Sequence, residues 1–381
     1  MAIPALITLR QDLHQHPELS GAEFETARRI KAFIAKHGPT KMIEAIGGTG
    51  IAAIYQYAET GPTITIRCEL DALPIVEENS FNYRSVNDGV SHKCGHDGHM
   101  AIVAGLAAWL QQQDFKTGQV ILLFQPAEET GQGACRVVED TRFKALKTDY
   151  VFALHNIPGE PLHRIITMDR GFSAEVQSFS ISVKGKESHA AEPENGNNPA
   201  VALAEIIKAL AQLNVNEPAA ENFAVLTPVY INMGQKSYGI SPAQGELHYT
   251  IRTWSTAEME RLKARLGNIF TQVTEDHQLT FDVSWFEYFP ASINDQACND
   301  LIIAAAEENG FEITRRPYPF KFGEDFGWFS KEYKTAMFGV GAGTTSPALH
   351  HANYDFPDEL IPTGIAMFTA IILKIMSGGH S

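Results

Sequence analysis

Apolar positions recur every three to four residues at Phe24, Ala27, Ile30 and Ile34, behind a Ser20/Glu23 pair that has the form of a capping box. The stripe closes at Gly38-Pro39, so the chain opens helical. Short apolar runs at Ile51 to Tyr55, Thr63 to Leu70, Val120 to Phe124 and Tyr150 to Leu154 read as strands. Met100, Val103, Leu106, Ala107 and Leu110 mark the buried face of a helix between them. Strands alternating with helices predict an α/β sheet covered on both faces.

Near Phe172 the pattern changes. Phe179, Ile181 and Val183 alternate with Ser178, Ser180 and Ser182, which is the signature of a strand with one polar face. A helix (198–213), two strands (224–231 and 246–253), a helix (257–275) and a strand (279–286) follow. This βαββαβ series predicts a ferredoxin-like α+β domain. After Pro290 the first texture returns, with a helix at 299–308, a strand at 336–340 and a helix from Ile361. The expected organisation is a catalytic domain in two parts, 1–173 and 290–381, interrupted by an inserted domain at 174–289.

Composition narrows the partners. A chain of 381 residues exceeds one ordinary core, and its 44% hydrophobic residues are enough for two. A net charge of -15 with no basic stripe disfavours nucleic acid. The N-terminus lacks the form of a signal peptide and no later run reads as a membrane span, so the expectation is a cytoplasmic protein without a membrane partner. Cys68, Cys94, Cys135 and Cys298 are scattered, unlike a disulfide framework.

Cys94-Gly95-His96-Asp97-Gly98-His99 is the densest cluster of metal-ligating residue types. A thiolate and an imidazole two residues apart can share one divalent ion, although a lone Cys-x-His is also compatible with a polar helix start. Glu128-Glu129 directly follows one apolar strand and His155 ends another. Active sites of open α/β sheets lie at those carboxyl ends. Adjacent glutamates can divide labour, one binding metal and the other accepting a proton, but a glutamate pair after a strand is also a common exposed turn. His350, in His350-His351-Ala352-Asn353-Tyr354, is a further loop imidazole.

These segments, in this order, resemble the hippurate hydrolase, aminoacylase and indole-acetyl-amino-acid hydrolase group of metallo-amidohydrolases. The resemblance also covers Leu13 to Glu18, Asp71 to Pro74, Ser188-His189-Ala190 and Phe322 to Phe326. It implies a zinc-peptidase-like catalytic domain with an inserted lid, and two divalent ions per subunit (zinc, manganese, cobalt or nickel). Cys94 would bridge them, with Glu129 and His350 completing one ion and His96 and His155 the other. Asp71 would anchor the ligands from behind. Hydrolysis of an N-acyl amino acid or similar small amide would proceed by attack of metal-activated hydroxide, with Glu128 as general base and His189 stabilising the oxyanion. Arg252 would bind a substrate carboxylate, and a homodimer would form through the lid. Two departures stand out: Glu69 where the group usually has Asp, and Tyr238 to Pro242 in place of a substrate-contacting segment. A dipeptidase or carboxypeptidase, or a non-catalytic binding protein on the same fold, are the competing readings.

Overall fold

The computed structural model describes residues 2–169 and 171–377, which fall into two compact units. The first comprises Met1–Phe172, Ser292–Pro319 and Glu324–Ser381; the second comprises Ser173–Ala291 with Phe320–Gly323. The short 320–323 segment packs with the second unit, whereas the sequence reading left it in the catalytic domain.

The first unit is built on an eight-stranded mixed sheet. Its centre is parallel: Thr63–Glu69 lies between Gln119–Gln125 and Tyr150–Ile157, and Tyr150–Ile157 in turn pairs with Lys334–Gly341. Antiparallel strands extend one side through Gly50–Gln56 and Lys41–Ile46, and Ile165–Met168 with Ile313–Arg316 completes the other. Every residue of Thr63–Glu69 is buried, as a strand covered on both faces requires. The Lys41, Ile165 and Ile313 strands, of six, four and four residues, were not read from sequence; they are short, and pairing with neighbours makes them strands.

The helix His96–Leu110 is buried almost all round, and its small residues Ala101, Ala104, Gly105 and Ala107 allow neighbouring helices to approach closely. It packs against Ile3–Gln15 and Leu360–Ser377. By length and composition Leu360–Ser377 is long and apolar enough to cross a membrane, a candidate that the sequence reading did not find. More than half of it is buried in this unit, with Met367, Phe368, Ile371 and Ile372 in the core, as in the core helix of a folded domain.

The Ser20/Glu23 pair does not form a capping box. The helix Phe24–Ile34 has no side-chain cap. Ser20 Oγ instead donates to Asp71 Oδ2 at 2.7 Å, and the buried Glu23 carboxylate accepts from Gly21 N–H, Thr49 Oγ and Ala127 N–H. Buried polar partners outcompeted the local cap.

In the second unit Glu175–Lys184, Ala224–Met233, Gln244–Thr253 and Thr280–Phe289 form one antiparallel sheet. Its order places the first strand between the third and fourth, with the second at an edge. Helices Ala200–Ala211 and Thr256–Asp276 pack against it, burying Phe179, Ile181, Val183, Leu247, Ile251, Leu266 and Phe270.

Candidate metal centre

Strand ends and one helix start gather the first unit's chemistry. Cys94 precedes the helix His96–Leu110, at whose N-terminus Gly95 adopts φ +95°; a Cβ there would meet the Asn156 side chain at 2.7–2.9 Å. Only glycine allows this turn to bring Cys94 and His96 onto the same side. Glu128 and Glu129 follow the strand Gln119–Gln125 through Ala127, which is held at φ +53° with its N–H on Glu23 Oε1. His155 lies within the strand Tyr150–Ile157, and His350, at φ +66°, in the loop after Lys334–Gly341.

The side chains converge in two triads that share one atom. Cys94, His96 and His155 have ligand atoms within 4.8 Å of one another, and so do Cys94, Glu129 and His350. Cys94 Sγ lies 3.6 Å from His155 Nε2, close enough for the two to hold one divalent ion. His96 Nε2 is 3.8 Å from Glu128 Oε2 and 3.9 Å from Glu129 Oε1, and His350 Nε2 is 3.8 Å from Glu129 Oε2.

Atoms behind the cluster aim these donors. His96 Nδ1–H donates to the Asp71 carbonyl at 2.8 Å and His155 Nδ1–H to the Asn156 carbonyl at 2.9 Å, leaving each Nε2 facing the cluster. The Asp71 carboxylate accepts from Glu129 N–H at 2.9 Å and from Ser20, fixing the backbone that carries the glutamates.

The residues fit divalent ions on electrostatic grounds. Burial, then the charges of Glu129, Glu128 and Glu69, push the Cys94 thiol well above its ordinary range. Burial and the neighbouring Glu324, Glu129 and Asp325 raise Glu128 well above a normal carboxyl, and burial raises Glu129 to about 7 despite His96. Burial opposes the His96 imidazolium, but Asp71, Glu69 and Glu129 outweigh it and lift His96 to about 10. Among the described residues His96 Nε2 and Glu129 Oε1 are buried without a hydrogen-bond partner, which fits donor atoms of a cation site.

A neighbouring set of acids has a cation of its own. Arg67, fully buried, donates to Gln125, Glu69, Glu324 and Asp325. Glu69 also faces His99 Nδ1 at 2.7 Å, so the departure from Asp noted above supplies a carboxylate long enough to reach both partners. His99 was named in the Cys94–His99 cluster without a role, and Arg67 was not singled out by sequence, since an isolated strand arginine reads as solvated; a buried apolar strand carrying Arg-x-Glu was the available signal.

His189 and Arg252 belong to the second unit. His189 is exposed on the two-residue strand Ser188–His189, where its Nδ1 accepts from Ala191 N–H at 3.0 Å. Arg252, half-buried, donates to the Lys321 carbonyl at 3.3 Å, and burial lowers its pKa.

Imidazoles and carboxylates around a cysteine sulfur common to two donor sets, with a buried glutamate beside them, define a metal-dependent amide hydrolase. The chain belongs to Peptidase family M20/M25/M40, whose profile residues 65–374 match. It is similar to N-acetyl-L-cysteine deacetylase of Bacillus subtilis (34% identity, over 85% of this chain and 77% of that protein). A second B. subtilis relative, N-acetylcysteine deacetylase, is 29% identical over 97% of each chain. Among solved structures, the B. subtilis YXEP protein, described as a dinuclear metal binding peptidase of the M20 family, superposes with a TM-score of 0.85 at 27% identity, covering 98% of both chains.

Proposed function

We propose that the chain hydrolyses the amide bond of small N-acyl amino acids at a centre of two divalent ions, with Glu128 as general base. The observation that carries this reading is the pair of donor triads sharing Cys94 Sγ, with Glu128 beside them, its carboxylate grouped with His96 and Glu129. Cys94, Glu129 and His350 would hold one ion and Cys94, His96 and His155 the other. When bound, such ions supply Lewis acidity, activating water and polarising the amide carbonyl.

Glu128 takes the proton of the attacking water and returns it to the leaving amine. Burial and the neighbouring acids raise Glu128, and the positive charge of bound ions would favour the ionised carboxylate that accepts the proton. His189 is proposed as the oxyanion donor: with Nδ1 accepting from Ala191, its Nε2 carries the hydrogen such a donor needs. Arg252 is proposed to bind the substrate carboxylate as a charged fork. Asp71 holds the His96 and Glu129 segments in place.

The βαββαβ order of the second unit supports a ferredoxin-like lid and dimerisation domain, and its edge strand, with Val229 and Ile231 exposed, supports a homodimer. Four free cysteines support a cytoplasmic location. The B. subtilis relatives named for N-acetylcysteine deacetylation support an acyl amino acid substrate and, within the family, the aminoacylase side over a dipeptidase.

The test is a hydrolysis screen of acetyl, benzoyl and longer acyl amino acids against dipeptides, with zinc, manganese or cobalt added. Preferential turnover of acyl amino acids is expected. Preference for dipeptides would favour the dipeptidase reading, and no turnover by fully metal-loaded protein would favour a binding protein.

A further inference from the structure

The three histidines of the candidate centre are not held alike. His96 and His155 are each aimed by a hydrogen bond from Nδ1 to a main-chain carbonyl. The half-exposed imidazole of His350 has no such bond among the described residues; only its backbone fixes it, in the left-handed region that side chains other than glycine disfavour. The orientation of this ligand therefore rests on whatever anchors its loop.

That anchorage converges on the residue before the shared thiolate. His350 N–H donates to the Lys93 carbonyl at 2.8 Å. The next turn of the loop is gripped at three consecutive carbonyls: Ala352 accepts from Glu78 N–H (3.0 Å), Asn353 from Asn79 Nδ2 (3.0 Å) and Tyr354 from Lys93 Nζ (2.8 Å). Lys93 Nζ is itself steered by Glu77 Oε1 at 2.6 Å and Asn79 Oδ1 at 2.8 Å. A lysine with no exposed side chain, saturated by two acceptors on one segment and a carbonyl on the other, is costly to bury and holds its geometry tightly.

We infer that Lys93 and the Glu77–Asn79 segment form a clasp whose function is to position His350, and thereby to set the affinity of one ion independently of the other. Lys93 and Asn79 are positioning residues and touch neither ion. The inference rests on the two-ion reading proposed above. His96 and His155 lie outside the clasp, so loosening it should leave their ion in place. The centre would then fill in two steps, with the His350 ion the later and weaker.

The test is titration of metal-free protein with cobalt(II), following stoichiometry and both stepwise affinities by calorimetry, in wild type, Lys93→Met, Asn79→Ala and His350→Ala. The clasp predicts that Lys93→Met keeps one ion within about twofold and weakens the other about tenfold to a hundredfold, the range typical of outer partners of a ligand. Asn79→Ala, at a partly exposed position, keeps the lysine but removes one of its acceptors and the bond to the Asn353 carbonyl; it should do the same to a smaller degree, and both should move toward the His350→Ala pattern. Should Lys93→Met fail to fold, Asn79→Ala decides. Equal weakening of both steps would mean a general structural role, and two unchanged steps would mean no role; either overturns the clasp. Wild-type protein that binds fewer than two ions would instead overturn the two-ion reading itself.

Discussion

Neighbouring residues of one short stretch serve two clusters that differ in how far fixed cations answer their acids. Lys93 and Asp97 point into a network with Arg10, His14, Glu77, Asp355 and Asp358, while Cys94 and His96 join Glu128, Glu129 and Asp71. In the first cluster fixed cations answer the acids: Arg10 donates to Asp97, Asp355 and Asp358, and His14 sits between Asp97 and Glu77 at 2.8 and 2.9 Å. In the second, the only cation among the cluster's own side chains is the His96 imidazolium; Asp71, beside it, is held low, while the Cys94 thiol, Glu128 and Glu129 are pushed toward their protonated forms. Burying acids without a fixed counter-charge costs stability unless something else supplies it. The difference thus separates a network that fixes the segments around the site, the His350 loop among them, from a cluster suited to receive cations.

The largest expected effect comes from breaking the balanced side. Arg10→Met leaves Asp97 buried without its guanidinium and should destabilise the metal-free chain by about 3–5 kcal/mol, read from the urea midpoint of the first unit's unfolding. A shift under 1 kcal/mol would show that the pairing adds little.

His14 offers a milder probe of the same cluster. Burial works against its charge, but Asp97 and Glu77 raise its pKa to about 9. A raised folded-state pKa gives stability that is complete below about 6.5 and is lost as pH rises through about 9, a contribution of about 3 kcal/mol. The stability gap between wild type and His14→Gln should therefore shrink between pH 6 and pH 10. A constant gap would contradict the assignment.

The unbalanced side should respond to pH through its ions. Metal uptake displaces protons from the Cys94 thiol and the His96 imidazolium, and from Glu129 as pH falls through about 7. Affinity for the ion pair should then fall about a hundredfold per pH unit between pH 8 and 7, and more steeply below. Calorimetry in buffers of different ionisation enthalpy counts the protons; fewer than one released would contradict this electrostatic account.

The two clusters were unequally legible in the sequence. Cys94-x-His96, Glu128-Glu129 and His155 stood out because ligand-type residues sat at strand ends or a helix start, where α/β sheets expose their chemistry. Grouping them into two triads needed the family resemblance, since spacing alone does not say which donors share an ion. Arg10, Arg67 and Lys93 were not legible as buried groups, because their partners lie far along the chain: Asp355 is 345 residues from Arg10, Asp325 is 258 from Arg67 and Tyr354 is 261 from Lys93. The Ser20/Glu23 pair misled for the same reason, as the long-range acceptor Asp71 and donor Ala127 N–H captured side chains that local spacing assigned to a cap. Period-two alternation in the second unit was local, and the order of its strands and helices could be read from it directly.

The central claim is that the second cluster binds the ions while Glu128 moves the proton. It is tested most directly by Glu128→Gln, measuring bound metal and N-acyl amino acid hydrolysis on the same sample. The account predicts two ions retained per chain and turnover reduced at least about a hundredfold, because the amide keeps the shape of the side chain but cannot accept the water proton. Wild-type turnover by metal-replete Glu128→Gln protein would contradict it.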